Sequence, residues 1–318
     1  MLLRSSAAIL IGTIIVTTPL ATSAQAQAPA AAVAPAAIPS SWPTLPELRF
    51  APIQTPANFL GDRWSYMEQG RADAPPLLLL HGVGANSMHW RFQFAGLSDT
   101  FRVIAWNAPG YMLSDGFRTD DPTCKDYADA VADFLGALKL DKVNIVGNSF
   151  GSRVAQCFVV HYPERVIKLA MTGAGAGPKG MSAEQKAKII ATREAQIGKG
   201  GYAFGARVNA LLGAKAAPEL IAMVQEVVRG TNPRGFMHGV KLGMADGYDP
   251  QAVAAKVAMP VLMISGNEDR VNPIDKNADL IRQAMPKAKF DLIEGIGHLP
   301  EVESPEMVNR ILRDFFTR

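Results

Sequence analysis

The chain has 318 residues, with 32 Lys and Arg against 29 Asp and Glu, a formal charge of +3 and 48% hydrophobic residues. That length allows one large α/β domain or two ordinary ones, and the apolar content excludes a chain disordered throughout. The near balance of charge, with no run of five like charges, argues against a nucleic-acid-binding stripe, and two cysteines without metal-ligand spacing argue against a disulfide scaffold or a metal site.

Residues 1–26 read as an export signal. Arg4 supplies the positive start, residues 7–16 form an uncharged run, and Ala24-Gln25-Ala26 is a small-x-small cleavage site. The run is too short for a membrane-spanning helix, which needs about 20 apolar residues; an uncleaved signal anchor is the competing reading. No cysteine lies near the cleavage site and there is no twin arginine, so the general secretory route to a bacterial periplasm is expected, with no stable membrane insertion after cleavage. Residues 27–46 then carry seven Ala, five Pro and no charge, apart from which only Trp42 offers a docking side chain. Such a tract favours extended, solvated chain and predicts a tether.

Past residue 46, apolar runs at 64–69, 76–80, 102–106, 143–146, 166–172, 261–265 and 290–293 alternate with amphipathic stretches. The runs suit buried strands, and the alternation predicts an α/β fold: an eight-stranded, mostly parallel sheet with helices on both faces. The first strands, near 47–54 and 64–69, are expected to form an antiparallel edge. Tyr127, Ala130, Val131, Phe134, Leu135 and Leu138 recur at helical spacing, with Asp126, Asp129 and Asp133 elsewhere around that helix. Cys124 should open this helix and Cys157 should lie two turns into the next. An exported chain could pair them, but those positions make bridging geometry doubtful.

The alternation breaks over residues 178–248, an Ala-, Lys- and Gln-rich stretch with helical character and Gly-rich interruptions. So long an insertion between strands 6 and 7 cannot be a simple crossover and predicts a helical cap on a core formed by 47–177 and 249–318. Ligands on open α/β sheets sit beyond the carboxyl ends of the strands, where such a cap would lie.

Chemistry concentrates at four places. Gly147-Asn148-Ser149-Phe150-Gly151 follows one strand and opens a helix, which is the context in which G-x-S-x-G presents a nucleophilic serine. A glycine–serine turn without chemistry is the plainer reading of five residues, and the strand–turn–helix context weighs against it. A serine hydroxyl needs a general base. Of the five histidines, His298 follows the last strand on a Gly-flanked loop and alone fits the order Ser…Asp…His. His81 is assigned to shaping its loop, His89 to the pocket, His161 to packing, and His238 to the surface of the cap or to substrate. Asp269 follows the strand at 261–265 and is the expected orienting acid, with Glu268 its nearest rival. Backbone N–H groups of Val83, in the loop His81-Gly82-Val83-Gly84, and of Phe150 would form an oxyanion hole. His81, Gly82, His89 and Leu299 are the candidate pocket residues, and no metal or other cofactor is called for.

These motifs together resemble the serine-dependent α/β-hydrolases over nearly everything from residue 60 onward. Asn107-Ala108-Pro109-Gly110-Tyr111-Met112-Leu113-Ser114-Asp115 is similar to the loop these enzymes carry after the fourth strand. The family usually has Gly where Met112 stands, often Asp where Asn107 stands, and frequently Gly where Ser152 stands. Thr231-Asn232-Pro233-Arg234-Gly235-Phe236, then Asp249 and Met259-Pro260-Val261-Leu262, is similar to 3-oxoadipate enol-lactonases and related carboxylesterases. The resemblance implies hydrolysis of a small-molecule ester or lactone through an acyl-enzyme on Ser149. The elbow is also similar to that of meta-cleavage-product hydrolases, which cut C–C bonds. Those enzymes generally follow the catalytic histidine with tryptophan, where this chain has Leu299-Pro300-Glu301, and no tryptophan lies in the cap. A hydrolase fold used only as a small-molecule binding protein is the remaining alternative.

Overall fold

The computed structural model describes residues 41–178, 180–205, 208–245 and 249–318. The expected export signal, and the tether as far as residue 40, lie outside the described residues. The tether's last residues are docked: Trp42 meets Phe92 edge-on, with ring centroids 5.3 Å apart, and the Pro43 carbonyl accepts from Arg91.

Eight strands form one sheet: β1 Leu48–Pro52, β2 Arg63–Gln69, β3 Pro76–Leu80, β4 Arg102–Trp106, β5 Val143–Asn148, β6 Val166–Thr172, β7 Val261–Gly266 and β8 Lys289–Ile293. Their order is β1-β2-β4-β3-β5-β6-β7-β8. The pairs β1–β2 and β2–β4 are antiparallel and the others parallel, so the edge anticipated from the sequence is present. Successive side chains of a strand point to opposite faces. Leu78, Leu80, Ile104 and Trp106 accordingly enter one apolar layer, and Leu77, Leu79, Val103 and Ala105 the other.

Helices cover both layers. The first is closed by α2 (Cys124–Ala137) and α3 (Phe150–His161), with help from α8 (Pro250–Ala254) and α9 (Ala278–Ala284). The second is closed by α1 (Arg91–Leu97) and α11 (Pro305–Thr317), the latter preceded by α10 (Pro300–Glu303). Between β6 and β7 come α4 (Ala183–Ile197), α5 (Gly201–Gly205), α6 (Pro218–Arg229) and α7 (Pro233–Met244). These have apolar clusters of their own. One joins Val208, Leu212, Met223, Val224 and Val228 to Leu299 and Val302 of the core, which anchors the helices over the end of the sheet where the β8–α10 loop emerges.

One expectation is corrected here. Cys124 and Cys157 form a disulfide, with Cα atoms 5.3 Å apart. Their depth along each helix does not set their separation; the side-by-side packing of α2 and α3 does, and it brings the first turn of one against the second half of the other. Asp133 lies off the apolar stripe of α2 and is nevertheless buried. Its carboxylate accepts from the backbone N–H groups of Gln54 and Thr55, the Thr55 hydroxyl and the Trp64 indole, at 2.7–2.9 Å. The carboxylate thus ties the antiparallel edge to the helix layer, which a partner-blind reading of helical spacing does not register.

Candidate active site

Ser149 occupies the turn between β5 and α3 with φ 52° and ψ −111°, a conformation that costs a non-glycine residue about 1–3 kcal/mol. The surroundings hold it there. Its N–H donates to the Thr172 carbonyl at 2.9 Å, and its own carbonyl accepts from the N–H of Ser152 and the Ser152 hydroxyl at 3.0 and 2.6 Å. The hydroxyl of Ser152 is therefore used to fasten the turn. Gly151 is required by contact: a Cβ there would stand 1.9 Å from the Leu80 carbonyl oxygen, so a side chain would push α3 off β3. The result is a partly exposed serine at the N-terminus of a helix, where backbone dipoles favour a developing anion.

His298 lies on the loop after β8, and its Nδ1 is 2.8 Å from Asp269 Oδ2 with both side chains almost fully buried. The other Asp269 oxygen accepts from the N–H groups of Val271 and Asn272, each at 2.8 Å. Burial alone would raise the Asp269 carboxyl. The His298 hydrogen bond and charge, together with those two backbone donors, outweigh it and hold the group below the usual carboxylate range. An ionised carboxylate only accepts, so Nδ1 is the donor, and in the neutral ring the lone pair lies on Nε2. Glu268 has a different partner, the Ala214 N–H at 2.6 Å.

The end of β6 links the serine turn to the histidine loop. Thr172 receives the Ser149 N–H, and a Cβ on the next residue, Gly173, would lie 2.9 Å from His298 Nδ1. Asn148, beside the serine, donates to Thr172 Oγ1 at 3.1 Å and to the His298 carbonyl at 3.3 Å. Asn148, Thr172 and Asn272 (whose amide donates to the Gly173 carbonyl at 2.8 Å) were not distinguished in the sequence. Only Asn148 had a signal, its place inside the elbow motif.

The loop bearing Val83 reaches the same spot. A Cβ on Gly82 would stand 2.7 Å from the Asn148 side-chain oxygen and 3.5 Å from Ser149 Cβ, so the absence of a side chain lets the loop pack against the elbow. Phe150 opens α3, and an N–H in a helix's first turn has no intrahelical acceptor. His81 braces this loop: Nδ1–H donates to the Gly82 carbonyl at 2.8 Å, and Nε2 accepts the Ala108 N–H at 3.1 Å. Burial lowers it to about 4, so the ring is neutral at neutral pH and fits that single tautomer. The inserted helices add a tie, since the Thr231 hydroxyl, between α6 and α7, donates to the Gly84 carbonyl at 2.7 Å. Asn107 completes the frame by accepting from the Ser87 N–H at 2.7 Å and donating to Ser65 Oγ at 2.9 Å. An aspartate there could only accept.

The remaining histidines differ from their sequence assignments. His89, expected at the pocket, is buried with Nε2 2.7 Å from Glu301 Oε1. His161 is exposed at the end of α3 rather than packed. His238 is not on the cap surface: it is buried on α7 near Phe117, and burial lowers it to about 4. Leu299 is buried in the apolar cluster that anchors the cap. Met112 and Leu113 both have positive φ, 37° and 67°, the backbone region that favours glycine. Among the described residues, no group of three or more His, Cys, Asp or Glu is placed to hold a metal ion.

Comparison with known proteins agrees with the fold. The family model described as alpha/beta hydrolase fold matches residues 75–305. Among curated proteins, a 2-hydroxy-6-oxononadienedioate/2-hydroxy-6-oxononatrienedioate hydrolase of Dechloromonas aromatica is 27% identical over 76% of this chain and 86% of its own. Among solved structures, a thermophilic esterase from Thermogutta terrifontis superposes with a TM-score of 0.73 at 24% identity, covering 85% of this chain and 98% of the esterase. The enol-lactonase from Burkholderia xenovorans gives 0.70 at 20% identity, over 80% and 97%.

Proposed function

We propose that this chain, which belongs to the alpha/beta hydrolase fold family, is an exported serine hydrolase that cleaves a carboxylic ester or lactone through an acyl-enzyme. The observation that carries the reading is the buried His298–Asp269 pair at 2.8 Å, held by shared contacts beside a strained serine at a helix N-terminus. Ser149 Oγ attacks the substrate carbonyl while His298 Nε2 takes its proton. Asp269 keeps the imidazole in the required tautomer and stabilises its cation. The Val83 and Phe150 N–H groups receive the oxyanion, each contributing about 3–4 kcal/mol in the transition state. Collapse expels the alkoxide, which leaves with the proton from His298. Water, deprotonated by the same nitrogen, then releases the acid and frees the serine.

Export is supported by the signal-like N-terminus and by the Cys124–Cys157 disulfide, because such bridges persist in oxidising compartments. The Dechloromonas relative keeps a second reading open, hydrolysis of a C–C bond in a vinylogous 1,5-diketone. Leu299-Pro300 after the histidine, in place of the tryptophan of that class, favours the ester. Turnover of p-nitrophenyl esters and of a vinylogous diketone by the purified protein and by Ser149→Ala separates the readings. Ester turnover lost in the variant is expected. Undiminished turnover in the variant, or activity on the diketone alone, would overturn the proposal.

A further inference from the structure

Asp269 and His298 sit on separate loops, and both loops are held by one stretch of the helical insertion. The segment from Val208 to Ala214 runs between α5 and α6. It meets the Asp269 loop twice. Arg270, adjacent to the acid, donates to the carbonyls of Asn209 at 2.9 Å and Leu212 at 2.7 Å, and Glu268, on its other side, accepts the Ala214 N–H at 2.6 Å. It also meets the His298 loop twice. The His298 N–H donates to the Leu211 carbonyl at 2.8 Å, and the Glu303 carboxylate accepts from both Gly213 at 2.7 Å and Gly297 at 2.9 Å.

The backbones are as close as glycine allows. A Cβ on Gly297 would be 2.5 Å from the Leu212 carbonyl carbon, and one on Gly213 would be 2.4 Å from the Gly295 carbonyl oxygen. Apolar packing reinforces the polar contacts, because Val208 and Leu212 share a buried cluster with Leu299, the residue after His298. Both neighbours of the acid are thus bonded to the same seven residues, and the base is bonded to them through its own N–H and, by way of Glu303, through the Gly297 N–H. Had the insertion only covered the pocket, a few apolar contacts would have sufficed; these bonds fix where two functional side chains stand.

We propose that the segment 208–214 is a strap that positions Asp269 against His298, acting through Arg270 on the acid loop and through Glu303, at the end of α10, on the base loop. Arg270 and Glu303 are positioning residues and touch no reacting atom. The insertion therefore cannot lift this segment from the sheet without loosening the pair, so the state that covers the site is also the state in which the base is aligned. The proposal rests on the serine-hydrolase reading above.

The test uses the full mature protein and three variants, Arg270→Ala, Arg270→Lys and Glu303→Gln. It records ester kinetics from pH 5 to 9, thermal midpoint and the rate of labelling by a fluorophosphonate. In Arg270→Ala and Glu303→Gln, kcat and labelling rate should fall about 10- to 100-fold, the size of effect that small misplacements produce, with KM changed less than about two-fold. The acid limb of kcat/KM should move to lower pH, because a carboxylate set further from the ring stabilises its cation less. Arg270→Lys, which can still reach one carbonyl, should recover part of the loss. Variants with wild-type kcat, labelling rate and pH profile, lowered only in thermal midpoint, would overturn the strap while leaving the hydrolase reading intact. A wild-type protein that takes up no label at Ser149 would overturn the hydrolase reading and the strap with it.

Discussion

Reduction of the Cys124–Cys157 bridge offers a quantitative check on the packing of α2 against α3. The two cysteines are 33 residues apart in sequence. Cross-linking over that span removes about 12–13 cal/mol/K of chain entropy from the unfolded state, or about 3.7 kcal/mol at 25 °C. Domains of about this size shift by about 2–3 °C per kcal/mol, so the thermal midpoint should fall by about 7–11 °C. Calorimetry of the mature protein with and without a phosphine reductant, and of Cys124→Ala/Cys157→Ala, measures this directly. The double variant should match the reduced protein and be insensitive to reductant. Thiol titration of the denatured, unreduced protein should find no free thiol, since the chain has only these two cysteines. Two titratable thiols in freshly purified protein, or a midpoint that moves by less than about 2 °C on reduction, would refute the argument.

Asp269→Asn should lower kcat by about 10⁴, because the amide would hold the imidazole in the wrong tautomer, while leaving the fold intact; a loss under ten-fold in ester kinetics would contradict the role. The same carboxyl is held below its ordinary range in the fold, so it stabilises the native state above the unfolded carboxylate pKa of about 4, and this contribution is lost as pH falls through the lower folded value. Urea midpoints recorded from pH 6 down to 2.5 should therefore decline less steeply in Asp269→Asn than in wild type; parallel declines would show that the carboxyl is not selectively stabilised. Asp133→Ala removes an acceptor from four donors that join the β1–β2 edge to α2, and urea denaturation should register a loss of about 3–5 kcal/mol.

The sheet was legible because buried parallel strands are near-continuous apolar runs, and these need no knowledge of their neighbours. The stripe on α2 was legible for the same local reason. Asp133 was not, since its donors at Gln54, Thr55 and Trp64 come from strands and turns 69–79 residues away. The disulfide was missed because the distance between two helices is a tertiary quantity. His161 and His238 were exchanged between inside and outside because helix periodicity does not say which flank another element will cover. At the site, Ser149, Asp269 and His298 could be singled out because side-chain chemistry imposes an order and a local context on each. Much of the polar frame around them escaped notice because it is built from main-chain groups: the carbonyls of Asn209, Leu211 and Leu212 accept, and Gly213 and Ala214 donate. Backbone atoms are the same in every residue, so nothing in the sequence marks them.

The central claim is that Ser149 is a nucleophile activated by His298. Incubating the mature protein with a fluorophosphonate, followed by intact-mass and peptide mass spectrometry alongside residual ester turnover, tests it most directly. The account predicts one adduct per chain, on Ser149, with turnover lost in proportion to labelling and no adduct in Ser149→Ala. Ester turnover that persists in fully labelled protein, or an adduct that forms at another residue, would contradict it.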